Sequence, residues 1–154
     1  NYSLAAQMLT MMMVFSAVVY KYLLPLDASG ESTKKIRKIA LILSIIIAVL
    51  GVTILPNVID WIFPKFIDAK DAIQIMSIGV IPGTISILYG SKFLAMEKSK
   101  IVMTPKLISL GVVIGGFLYF GPIYGTIGLA WVIVTALIQE SIFLFIMNRM
   151  LRTS

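Results

Sequence analysis

An all-α, polytopic transmembrane helix bundle is the fold class this sequence predicts, and three observations carry it. Of 154 residues, 59% are hydrophobic and 13% are charged, where a soluble domain averages about 25% charged. The mean hydropathy is +1.00, and uncharged runs of about 20 residues recur, the length a helix needs to cross a bilayer. The basic residues are also confined almost entirely to alternate connections between those runs.

The same composition excludes several function classes. The chain has no cysteine and no histidine, which removes disulfides, thiolate and imidazole metal ligands, and every nucleophile–histidine pair. No metal or cofactor is expected. Thirteen basic against seven acidic residues give a net charge of +6. Their placement points to topology and anionic headgroups, not to nucleic acid. The first apolar run has no basic segment before it, so no signal peptide is expected, and a chain beginning at Asn1 reads as a piece of something larger.

The first span is expected over residues 2–24, closed by Pro25, with Lys21 reaching toward the headgroups. A polar connection follows over 27–38, in which Ser29 would cap a helix carrying Glu31 in its first turn. Residues 39–59 form a second uncharged run, with Pro56 placed to bend or end it. Trp61 and Phe63 suit an interface, and Asp60, Lys65, Asp68, Lys70 and Asp71 make a short hydrophilic loop. A third span over 72–91 contains Gly79, Pro82 and Gly83, and its internal proline predicts a kink. Lys92, Lys98, Lys100 and Lys106 mark the next connection.

No charge appears from Leu107 to Gln139, 33 residues that are too long for one helix. A turn on Gly121, Pro122 and Gly125 divides them, giving spans over 103–120 and 124–148. The last span carries one acid, Glu140, at ~12 Å from its inner end, and it stops at the basic residues Arg149 and Arg152.

Five spans alternate in direction, so the charges can be audited. Eleven of the 13 basic residues fall on one side, which the positive-inside rule makes cytoplasmic. The N-terminus is then outside and the C-terminus inside. Tyr2, Trp61, Tyr119 and Tyr124 at the outer boundary, with Tyr20, Tyr22 and Tyr89 at the inner, form the expected aromatic belt.

Candidate sites follow from what a membrane makes costly. Glu140, flanked by Gln139, would bind a coupling proton or cation, or pair with a base on another helix; a structural hydrogen bond is the plainer alternative. Lys21, Lys92 and Lys106 lie near inner helix ends and would hold an anionic headgroup, or simply snorkel to the lipid surface. Gly79 with Gly83, and Gly111 with Gly115, are spaced for close helix contact, serving either a hinge or static packing.

Several stretches resemble the C-terminal half of polysaccharide and lipid-linked oligosaccharide flippases, of the multidrug/oligosaccharidyl-lipid/polysaccharide exporter superfamily. IFPKFIDAKDAIQIMSIGVIP is similar to that family's outer loop and following helix, and FLAMEKSKIVMTPKLISLGVVIG to its basic inner loop and the next span. FGPIYGTIGLAWVIVTALIQE resembles its Pro–x–Tyr–Gly–x–x–Gly–x–Ala turn, with Glu140 where such proteins often carry an acid. The resemblance covers nearly the whole chain. It implies most of one lobe of a twelve- to fourteen-helix transporter that flips a lipid-linked glycan by alternating access across the cytoplasmic membrane. The partners implied are the lipid bilayer, that substrate and the transporter's remaining helices. No arginine lies within a span, so the family's cavity arginines have no counterpart here. The alternatives are a cation-coupled multidrug antiporter of the same superfamily and a non-transporting structural subunit of a membrane complex. An enzyme is disfavoured, because no phosphate loop, carboxylate pair or acid-rich inner loop is present.

Overall fold

The computed structural model of the chain describes residues 2–30, 32–62 and 69–153. Glu31, Phe63, Lys65 and Asp68, on which parts of the loop readings rest, lie outside the described residues. Six helices follow in order: α1 (Tyr2–Ala28), α2 (Lys34–Thr53), α3 (Leu55–Ile62), α4 (Lys70–Ile78), α5 (Val80–Ala95) and α6 (Ser99–Thr153). Among the described residues there is no strand. Among the described residues four stretches are long and apolar enough to cross a membrane: Ala6–Ala28, Lys34–Thr53, Lys70–Ala95 and Ser99–Leu151. These are the helices of a multi-pass membrane protein.

The longest is a hairpin. Gly125 has φ 56° and ψ −136°, outside helical space, and a residue with a Cβ is strained at that φ. The chain reverses there into two limbs, 99–124 and 126–153. Their antiparallel register follows from the pairs that meet. A Cβ on Gly121 would touch Leu129, one on Gly116 would lie 2.6 Å from Val132, and Ser109 bonds to Ala136 and Gln139. Near the open end, Val102 and Leu144 share a buried cluster with Phe93.

Two helix ends differ from expectation. Helix α1 runs through Pro25 to Ala28. A proline only three residues from a helix end removes one hydrogen bond at a place where few remain to lose. Ser29 does not cap the next helix. Its backbone N–H bonds to the Pro25 carbonyl and its hydroxyl to that of Leu26, so it finishes α1, and α2 begins after Thr33 instead.

Two other prolines lie near helix breaks. Pro56 cannot donate to the carbonyl of Val52, four residues earlier. The Gln74 side-chain amide, from α4, donates to that oxygen at 3.2 Å. The break between α4 and α5 falls at Gly79, just before Pro82.

In lipid, tails are as apolar as the helices, so packing and hydrogen bonds must hold the bundle together. Helix α5 lies at its centre and buries Gly83, Thr84, Ser86, Gly90 and Ser91. A buried bond of 2.7 Å joins Thr84 to Ser16 of α1. A Cβ on Gly51 would lie 2.5 Å from the Ser77 hydroxyl, and one on Gly83 would lie 2.5 Å from Met13. The outer surface is apolar, with Ile46, Val49, Ile114 and Leu118 exposed, as a bilayer or further helices would require.

Candidate functional site

One end of the bundle gathers the basic residues, and there the first polar cluster forms. Asp27 of α1 is its centre. It accepts hydrogen bonds from Thr33 at 2.8 Å, from Ser91 of α5 at 2.9 Å, and from Arg37 of α2 at 2.5 Å. The Arg37 guanidinium also donates Nε–H to the Thr33 hydroxyl at 3.0 Å and an Nη1–H to the Leu88 carbonyl. The Asp27 side chain is 7% exposed and that of Arg37 20%. Because the Thr33 hydroxyl is occupied in this way, it does not cap α2. Charge, hydroxyl and carbonyl are mutually satisfied, and three helices are tied at one point.

The second cluster lies farther along the bundle from Asn148 and Lys92 and is built differently. A cavity of about 260 Å³ opens between α1, α5 and both limbs of α6, lined in part by Tyr20, Ser86, Lys106 and Glu140. The hairpin register places Lys106 and Glu140 across from each other, because Ser109 meets Gln139 and Val102 meets Leu144. Lys106 is the opposite charge that acts on Glu140, yet among the described residues no ion pair joins them. The Ser86 hydroxyl is buried and has no hydrogen-bond partner among the described residues. A buried polar group without a partner is costly. This cavity therefore holds an acid, a base and a hydroxyl whose hydrogen-bonding capacity is not used up among the described residues.

The other expected site residues separate. Gln139 accepts from Ser109 at 2.8 Å and helps to close the hairpin. Lys92 donates to Asn148 at 2.6 Å, at the basic end and away from Glu140. Lys21 is exposed on α1. Gly79 and Gly83 are buried against Val134, Leu137 and Met13. Gly111 and Gly115 make no close contact among the described residues: a Cβ on either would meet nothing within 4 Å. The helix meets its partner through Gly116, one residue round the turn, which a spacing of four between small residues does not reveal. Pro122 is exposed beside the reversal, and Gly121 packs on Leu129.

Sequence reasoning missed Ser86 and the Asp27–Arg37 pair. The only signal for Ser86 was a hydroxyl in an apolar run. For the pair it was an acid and an arginine flanking one short connection.

A further groove of about 670 Å³ runs along the hairpin between Gly115, Gly116, Tyr119, Tyr124, Gly128 and Trp131. Tyr119 packs edge-on against Phe120 at 5.1 Å, and Phe120 stacks on Tyr124 at 6.0 Å. Among the described residues no group of acids able to hold a metal ion occurs. Comparison of the chain with family models, curated proteins and solved structures returns no match.

Proposed function

We propose that this chain is part of a membrane transporter that flips a lipid-linked oligosaccharide or polysaccharide precursor across the cytoplasmic membrane. The observation that supports transport is the cavity of Glu140, Lys106 and Ser86 within an apolar bundle. Intramembrane charges are rare and commonly mark substrate or ion pathways. The glycan substrate rests on the motif resemblance and on its order along the chain. In this reading the sugar headgroup crosses in a hydrophilic cavity formed with the transporter's remaining helices, while its lipid tail stays in the bilayer. No covalent bond is made or broken. Alternating access exposes the cavity to each side in turn. The basic end, with Lys34–Lys38 and Lys92–Lys100, is cytoplasmic, and the N-terminus lies outside.

Glu140 favours a second reading, the cation-coupled multidrug antiporter, in which the acid exchanges a proton or cation against a drug. Complementation of a flippase-deficient strain decides between them. Glu140→Leu should abolish complementation at normal protein level, and Glu140→Gln should retain it if the acid serves as a neutral hydrogen-bonding group. Failure of the unsubstituted protein to complement, with drug resistance conferred instead, would select the antiporter. Single cysteines at Ser32, Asp71 and Ser99 test the orientation in whole cells. Only Asp71→Cys should react with an impermeant thiol reagent, and labelling at Ser32 or Ser99 would reverse the topology.

A further inference from the structure

The cavity between α1, α5 and the two limbs of α6 has a chemistry that narrows what it can hold. Of the residues that line it, Glu140 and Lys106 carry opposite charges, and Ser86 and Tyr20 carry hydroxyls. Among the described residues no ion pair joins the two charges, and the Ser86 hydroxyl has no hydrogen-bond partner although the residue is only 6% exposed. Gly90 follows Ser86 by four residues on the same side of α5 and adds no side chain beside it.

The formal charges of the lining sum to zero. A bound cation would be attracted by Glu140 and repelled by Lys106, and an anion the reverse, so the cavity offers neither ion a net counter-charge. Its hydrogen-bonding groups are mixed in the same way. An ammonium only donates, an ionised carboxylate only accepts, and the serine and tyrosine hydroxyls do both. A ligand that uses all four is uncharged and carries several groups that each donate and accept, which describes a polyol. Size sets the number of rings. The cavity measures about 260 Å³, and a pyranose with its hydroxyls displaces roughly six waters, about 180 Å³ at about 30 Å³ each. One sugar ring fits and two do not. Leu94 and the Tyr20 ring supply an apolar side for the C–H face of that ring.

We propose that this cavity binds one neutral pyranose unit. Glu140 accepts hydrogen bonds from the sugar hydroxyls, Lys106 donates to them, and Ser86 makes there the bond that it lacks among the described residues. The inference rests on the reading of the chain as a carrier of a glycan, and it narrows that reading to an uncharged sugar at this site.

Protection of a thiol tests it. The chain contains no cysteine, so Gly90→Cys reports on the cavity alone; the nearest neighbour of a Cβ there is Val102, at 3.8 Å. The protein is held in nanodiscs, free of glycoside detergent, and labelled with a small maleimide. Methyl glucoside, methyl galactoside and methyl N-acetylglucosaminide are the probes, and at least one should slow labelling about threefold or more. Sodium chloride, glucosamine and methyl glucuronide at the same concentration should slow it less. Ser86→Ala should reduce the protection about three- to tenfold, while the unfolding midpoint holds or rises, because a buried unpaired hydroxyl has been removed. A fall in that midpoint would make the hydroxyl structural and overturn its role. Glu140→Gln leaves Lys106 unbalanced and should turn the preference toward methyl glucuronide. Lys100→Gln, exposed and outside the cavity, should leave protection unchanged. Should Gly90→Cys fold poorly, saturation-transfer NMR of the same glycosides on the unsubstituted protein decides. Protection by none of the neutral glycosides overturns the proposal and leaves the cavity to water. Stronger protection by sodium or by either charged sugar overturns it too. Complementation of the flippase-deficient strain without protection would keep the flippase and remove this site, and protection without complementation would do the reverse.

Discussion

The two polar clusters of this bundle are about as polar as each other and opposite in condition. Around Asp27 both carboxylate oxygens and each of the three guanidinium nitrogens have a partner, and three helices converge on it. Around Glu140 an acid and a base line one cavity with no ion pair between them among the described residues, beside a buried hydroxyl that has no partner among them. The first arrangement is what a structure needs in order to hold together. The second is what a site needs if something else is to bind there. Exposure sharpens the contrast, because the Asp27 side chain is nearly buried, whereas Glu140 is half-buried and Lys106 is exposed.

Substitution can test whether the contrast is real. The largest effect on stability is expected at Asp27→Leu, which strands the largely buried Arg37. Breaking a buried pair costs about 3–5 kcal/mol, and the partial exposure of Arg37 reduces this to about 2–4 kcal/mol. Thermal unfolding in detergent measures it. A loss below that of an ordinary surface change would make the cluster dispensable.

Next in size is Gly83→Leu. The added side chain must displace Met13 between α1 and α5, at about 1–3 kcal/mol for an overpacked core. Gly111→Leu is its control and should leave the unfolding midpoint unchanged, since its Cβ meets open space. A matching loss at Gly111 would mean that this face of the hairpin is covered by another part of the assembly. The smallest effect belongs to Gln74→Leu, which leaves the Val52 carbonyl without its substitute donor, at about 1 kcal/mol. If the unfolding curve did not move, water or lipid headgroups would already reach that carbonyl.

The class of fold was legible because a bilayer imposes length and apolarity on each helix separately, so composition alone carries the signal. The division of the run from Leu107 to Gln139 was legible for the same reason, and the reversal at Gly125 lies inside the turn expected over Gly121–Gly125. Helix ends were less so: Pro25 reads as a stop, yet α1 continues past it, because one lost bond in a last turn is cheap. The Asp27–Arg37 cluster could not be read from spacing, since it also requires Leu88 and Ser91 from a helix more than fifty residues away. Nor could Gly116 be distinguished from Gly115 without the hairpin's rotation. Glu140 announced itself by its rarity, whereas its neighbours Lys106 and Ser86 became a site only once the limbs were folded together.

The reversal at Gly125 also bears on how such a chain could be made. Two limbs joined by so short a turn present themselves to a bilayer as one insertion unit. Their register sets Lys106 level with Glu140, so the unit carries a cation and an anion to the same depth. Opposite charges at a common depth screen one another as water is stripped away, and they can share a single trapped hydration cluster. The hairpin thus brings its acid and an opposite charge to one level by its own register, without help from the helices that precede it in the chain.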